Sequence, residues 1–177
     1  MKLYVRQKPL SWTEKFSVIN SKEEDRYFVE GENLSLGRKL HIYDTDKNEV
    51  ACVKQKFASM QPRYGVFQSG NKVIEVMQKF TVAKHKYAIF GSDWTISGDL
   101  GQHAYTISCS YGKVAVVSVV EIEDAAWIEL DLSNTVNEAN IVRALATVLA
   151  IDCVVAKKIK KQPKAKKQSD KKNKETE

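Results

Sequence analysis

From residue 2 to residue 132 the chain is a succession of short runs rich in β-branched and aromatic side chains, several alternating apolar with polar positions. Twelve of these runs are predicted as strands: Lys2–Lys8, Lys15–Asn20, Arg26–Glu30, Lys39–Asp44, Glu49–Phe57, Tyr64–Gln68, Lys72–Lys79, His85–Phe90, Trp94–Ser97, Ala104–Cys109, Lys113–Val120 and Ala126–Leu132. In Ala51-Cys52-Val53-Lys54-Gln55-Lys56-Phe57 the alternation assigns Ala51, Val53 and Phe57 to one face and Lys54 and Lys56 to the other. Thr45-Asp46-Lys47-Asn48, Ser69-Gly70-Asn71 and Tyr111-Gly112 have the residue types of hairpin turns. Many short strands with turn signals between them imply a sandwich or a barrel.

The pattern changes at Thr135-Val136-Asn137-Glu138, whose T-x-x-E spacing predicts a capping box and a helix from about Val136 to Ala156. No Gly or Pro interrupts it, and at 100° per residue apolar side chains fall on every side. A helix of that kind either spans a membrane or is enclosed by protein. Ile141 to Ala156 would measure about 24 Å, short of the roughly 30 Å hydrocarbon core of a bilayer, and Arg143 and Asp152 interrupt the stretch. The helix is therefore expected inside the strands, with Leu145, Val148 and Leu149 at the centre of the core.

These stretches resemble the LURP-one-related family, bacterial members included. The resemblance is carried by Asn33-Leu34-Ser35-Leu36-Gly37-Arg38-Lys39-Leu40-His41-Ile42-Tyr43-Asp44 and by Val53-Lys54-Gln55-Lys56-Phe57-Ala58-Ser59-Met60-Gln61-Pro62-Arg63-Tyr64. It continues in Trp94-Thr95-Ile96-Ser97-Gly98-Asp99 and in Ala144-Leu145-Ala146-Thr147-Val148-Leu149-Ala150-Ile151-Asp152. It implies a mainly β, tubby C-terminal-like fold: a closed antiparallel barrel of about twelve strands enclosing one hydrophobic C-terminal helix, over residues 1–156. It also implies distant kinship to tubby proteins, which bind phosphoinositides, and to phospholipid scramblases. It supplies no catalytic residue to transfer.

Length and charge refine the picture. The 177 residues suit one domain, and a chain of about 150 residues can bury roughly 70% of its unfolded surface without a disulfide or metal staple. Cys52, Cys109 and Cys153 are odd in number and scattered, as in a reducing compartment, and Met1 to Lys8 has no secretory apolar run. A cytoplasmic location, peripheral at the membrane where lipid is bound, is expected. The net charge of +6 is unevenly placed: residues 157–177 hold ten Lys against Asp170, Glu175 and Glu177, a net +7, leaving −1 for residues 1–156. That tail, starting Lys157-Lys158-Ile159-Lys160-Lys161, is too polar to fold and is expected to be disordered.

Candidate chemistry is sparse. His41, His85 and His103 are isolated in sequence, without metal-ligand spacing. Asp44-Thr45-Asp46-Lys47-Asn48 starts like a calcium loop but has Glu49 at its sixth position and Gln55 at its twelfth, so a hairpin turn is expected. No phosphate-binding glycine motif occurs, and pairings drawn from Ser92, Asp93, His103 and Cys109 lack a nucleophile elbow. The reading is a non-enzymatic module without cofactor, metal or catalytic residues, the alternatives being a nucleic-acid-associated protein acting through its tail and an enzyme with an interior site that no motif reveals. Arg143 and Asp152 are expected to pair with strand residues, since an unpaired charge on an enclosed helix is costly. Candidate contacts for an anionic ligand are Lys54, Lys56 and Arg63, with Lys79, Lys84 and Lys86 as neighbours, and Lys157, Lys158, Lys160 and Lys161 of the tail. For the tail three roles stand open: attraction to anionic lipid, sequence-independent nucleic-acid binding, or nuclear import. A solubility tail needs no partner. Oligomeric state is not legible in the sequence.

Overall fold

The computed structural model describes residues 1–6, 15–34, 37–79 and 86–159. Twelve strands form a single antiparallel sheet: β1 (Lys2–Arg6), β2 (Lys15–Asn20), β3 (Asp25–Leu34), β4 (Gly37–Tyr43), β5 (Glu49–Gln55), β6 (Arg63–Gln68), β7 (Asn71–Lys79), β8 (Lys86–Phe90), β9 (Thr95–Asp99), β10 (Ala104–Cys109), β11 (Gly112–Ile122) and β12 (Ala125–Leu132). One helix, α1 (Glu138–Ile159), follows. The spatial order β8-β7-β6-β5-β4-β3-β2-β1-β12-β11-β10-β9 is a meander in which the first strand closes on the last. Lys2 pairs with Asp131 and Arg6 with Trp127. The two edges, β8 and β9, are consecutive in the chain, so the barrel is nearly closed.

The alternation read from the sequence decides which side faces in. Leu3, Val5, Val18, Tyr27, Val29, Leu40, Ile42, Val53, Val66, Ile74, Val76, Ile107, Val117, Ile128 and Leu130 are all at most 3% exposed. They meet across neighbouring strands as Val29–Ile42, Leu40–Val53–Val66–Ile74 and Val117–Leu130–Leu3, so cross-strand pairing makes one continuous apolar belt. Phe57 departs from the expected face. Strand β5 ends at Gln55, Lys56 N–H donates to the Arg63 carbonyl, and Ala58 takes φ 56°, so Phe57 lies in the connection and is 62% exposed. At β9–β10 only glycine fits position 98: with φ 124°, a Cβ there would stand 2.4 Å from the Ala104 carbonyl oxygen.

Helix α1 packs on β5, β6 and β7 and also on β11, which lies on the far side of the strand order. The sheet therefore wraps around it. Ala144, Leu145, Ala146, Val148, Leu149, Ala150 and Ile151 are all buried to within 1% of completely. Burying each large side chain contributes about 1.5–3 kcal/mol, while the alanines keep the helix thin enough for the bore. The capping box does not form. The first cap is Asn137, whose Oδ1 accepts the Asn140 N–H at 2.9 Å, while Thr135 Oγ1 pairs with Ser133 Oγ at 3.0 Å. Glu138, which would complete an interior turn, instead reaches outward to the Arg26 guanidinium and the Tyr27 hydroxyl. At the other end α1 continues to Ile159, so Lys157 and Lys158 belong to its last turn. The remainder of the lysine-rich tail, including Lys160 and Lys161, lies outside the described residues.

Candidate functional site: the basic end of the barrel

Because the meander is antiparallel, its connections alternate between the two ends. Segments 21–24, 44–48, 69–70, 91–94 and 110–111 and the start of α1 lie at one end, here the entry end. Segments 56–62, 100–103 and 123–124 and the last turn of α1 lie at the other, the exit end. The entry end carries Glu23, Glu24, Asp25, Asp44, Asp46, Asp93 and Glu138 together with Lys22, Arg26 and Lys47. The exit end is mixed: its β4–β6 sector carries Arg38, Lys39, Lys54, Lys56 and Arg63, and the last helical turn brings Lys157 and Lys158 to the same end, while its β9–β12 sector carries Asp99, Glu123 and Asp124. Cations at the C-terminus of a helix also complement its dipole.

Three of the predicted contacts, Lys54, Lys56 and Arg63, are thus brought together at the two feet of one connection. Lys54 Nζ rests 4.6 Å above the centre of the Phe67 ring, leaving its charge without a carboxylate partner among the described ion pairs. Lys56 is exposed. Arg63 Nη1 reaches Glu75 Oε1 at 3.4 Å, and its buried Nε has no hydrogen-bond partner among the described residues. Glu75 is shared with Lys72 Nζ at 2.9 Å, which holds its carboxyl below the ordinary range. The connection itself adds a feature that alternation concealed: Phe57 is 62% and Met60 98% exposed. A Phe and a Met displayed on a loop between cations are an amphipathic tip. Of the other predicted contacts, the side chains of Lys79, Lys86, Lys157 and Lys158, and Lys84, Lys160 and Lys161 entirely, lie outside the description.

The polar residues of the helix are paired within the barrel. Near the entry end Arg143 Nε donates to Gln68 Oε1 at 3.0 Å and its guanidinium lies 5.7 Å from the Trp94 ring centre. Gln68 Nε2 donates in turn to the Ala139 carbonyl at 2.8 Å. Nine residues further on, Asp152 meets His103 Nε2 at 3.0 Å, and His103 is 4% exposed. His103 is therefore committed to the helix and not to Ser92 or Asp93. Asp93 accepts two hydrogen bonds from Ser110, at 2.6 and 3.0 Å, which hold its carboxyl below the ordinary range. The Asp44 segment is a hairpin turn, with the Asp44 carboxylate accepting the Asn48 N–H at 2.8 Å.

His41 was isolated only in sequence. Its two ring nitrogens face Glu49 Oε2 at 2.5 Å and Glu32 Oε2 at 3.2 Å, and Cys52 lies beside it on the next strand. Burial pushes the Cys52 thiol up to about 11. Among the described residues, Cys52, Cys109 and Cys153 form no disulfide. An apolar groove of about 450 Å³ also crosses the outer face of β2–β4, floored by Phe28 and Tyr43, and its rim cation Lys15 is held by Glu30 at 2.7 Å. No helix among the described residues is long and apolar enough to cross a membrane.

A nearly closed twelve-stranded antiparallel barrel threaded by its C-terminal helix is the tubby-like architecture. The chain belongs to the LURP-one-related family, whose model matches residues 1–163. It is 32% identical over 108 residues to the uncharacterized protein YxjI of Bacillus subtilis (strain 168), covering 61% of this chain and 67% of that protein. Its fold is shared with the X-ray structure of a protein from Arabidopsis thaliana, at a TM-score of 0.56 and 14% identity, over 85% of this chain and 90% of that one.

Proposed function

We propose that the chain is a non-enzymatic membrane-associating module that docks on anionic lipid with the exit end of its barrel, at the cytoplasmic face. The observation that carries this reading is the tip Phe57–Met60, two exposed apolar side chains held between Lys54 and Lys56 on one side and Arg63 on the other. Apolar side chains that enter the headgroup region supply binding that salt does not screen. Each Lys or Arg near an anionic surface adds about 1 kcal/mol that salt does screen. Lys157 and Lys158, in the last turn of α1, stand at the same end and add to the second contribution.

The test is co-sedimentation with phosphatidylcholine vesicles, alone or doped with phosphatidylserine or a phosphoinositide, across a salt series, using the full chain, Phe57→Ser/Met60→Ser and a deletion of residues 160–177. The full chain is expected to bind doped vesicles only. The double variant is expected to lose the fraction that persists at high salt, where the Debye length falls to about 3 Å at 1 M. The deletion should remove most of the salt-sensitive fraction. Equal binding by the full chain and the double variant, or none by either, overturns the reading. Loss of DNA retardation on deleting the tail, without vesicle binding by any form, replaces it with a nucleic-acid role for the tail.

A further inference from the structure

The cluster around His41 lies on the outer wall of the barrel and plays no part in the basic tip. His41 and Cys52 are direct cross-strand partners on β4 and β5. Glu49 is three residues from Cys52, an odd spacing that in a regular strand would turn its side chain to the opposite face. The ladder slips between Ile42 and Tyr43, so that Ala51 opposes Ile42 but Glu49 opposes Tyr43, leaving Val50 as the extra residue of a bulge. That bulge brings Glu49 to the outer face beside Cys52, the re-aiming of a side chain that bulges perform. The ligand-type atoms of His41, Glu49 and Cys52 all lie within 4.8 Å of one another.

The two carboxylates at the ring nitrogens of His41 can be satisfied either by an imidazolium donating to both or by a cation bound on one side. A neutral imidazole has one N–H, yet carboxylate oxygens stand at both nitrogens, at 2.5 and 3.2 Å. A cation on the Nδ1 side resolves this: Nδ1 and Glu49 both act as ligands, while Nε2–H donates to Glu32. That is the carboxylate–histidine–metal arrangement in which an outer carboxylate fixes the ring and raises its basicity. Glu32 is itself anchored by Lys39 Nζ at 3.4 Å.

We propose that His41, Glu49 and Cys52 form a binding site for a borderline-soft divalent cation, zinc by its ligand chemistry, with Glu32 as the residue that positions His41. One thiolate, one imidazole and one carboxylate suit zinc better than magnesium or calcium, which favour oxygen-only sets. Metal–ligand bonds of 2.0–2.3 Å in a tetrahedron place ligand atoms about 3.3–3.8 Å apart, so the site closes by side-chain rotation of about 1 Å, with water in the fourth position. On binding, the metal–sulfur bond replaces the S–H bond of Cys52 and the proton leaves to solvent. Cys52 is 2% exposed while Glu49 and Glu32 are open to solvent, so the cation enters from the carboxylate side.

The test is titration of reduced, untagged full chain with Co²⁺, read by sulfur-to-cobalt charge-transfer absorption and followed by displacement with Zn²⁺. One equivalent per chain is expected, displaced stoichiometrically by Zn²⁺ and accompanied by a rise in melting temperature. Cys52→Ser should abolish the charge-transfer band, and a Cys109→Ser/Cys153→Ala form should keep it. Glu49→Gln, on an exposed side chain that leaves folding intact, should weaken binding at least about tenfold, and Glu32→Gln by about 10–100-fold, the range for outer-shell partners. Absence of the band in the full chain, its survival in Cys52→Ser, or equal affinity in Glu49→Gln overturns the proposal.

Discussion

Leu145 and Leu149 show what a single side chain contributes here. Both lie on a helix walled in by strands and are at most 1% exposed, so no neighbouring solvent boundary can collapse into the space left by truncation. Leu145→Ala or Leu149→Ala is expected to cost about 2–5 kcal/mol, measured as a shift of the denaturant midpoint at constant slope. An Asp at either position should prevent folding. Three tyrosines make a second prediction. Burial raises the pKa of Tyr27, Tyr64 and Tyr105, with the hydrogen bond to Glu138 adding to the effect at Tyr27. An unfolded tyrosine ionises near pH 10 while these keep their protons, so above about pH 10 the unfolded chain binds fewer protons and stability falls as pH rises. The contribution is complete below pH 10 and is lost on passing through the native values. Denaturant melts between about pH 9 and 12 should show unfolding linked to proton release, to which the Cys52 thiol also contributes, and release smaller by up to about one proton in Tyr27→Phe.

At the scale of the element, the helix start separates two readings of the same residues. Thr135 and Glu138 have the spacing of a capping box, but Asn137 carries the cap. Asn137→Ala should therefore cost about 1 kcal/mol, whereas Thr135→Ala, which loses only the Ser133 contact, should stay within about 0.5 kcal/mol. Equal effects at the two positions would restore the capping box. Glu138 was drawn away because Arg26 and Tyr27 of β3 present a guanidinium and a phenol at the barrel rim. A tertiary ion pair there outweighs a local backbone bond.

At the scale of the whole molecule, the barrel and the helix are one cooperative unit. The inward side chains of the strands and those of α1 form a single hydrophobic cluster, so neither part has a complete core without the other. A chain ending at Leu132 should lose the cooperative thermal transition, and retention of that transition with dispersed amide resonances would refute the threaded design. Removing residues 160–177, by contrast, leaves every described contact intact and should shift the melting temperature little while lowering the net charge from +6 to +1.

The number of strands and the enclosed helix were legible in the sequence, as was the pairing of Arg143 with a strand residue, whereas Asp152 meets His103 of a connection. Period-2 alternation and an all-round apolar helix are local consequences of burial, and each can be read from a window of about ten residues. Phe57 was misplaced because alternation does not announce where a strand ends, and an exposed tip residue obeys no burial rule. The grouping of Lys54, Lys56 and Arg63 at one end and the meeting of His41 with Glu49 and Cys52 were decided only by tertiary structure. Each depends on which strands are neighbours, on the end at which a connection emerges, or on one extra residue at Val50 that changes the face of Glu49. Such relations join positions through hydrogen-bonded register across the sheet, and register is a property of paired strands that no single strand's sequence contains.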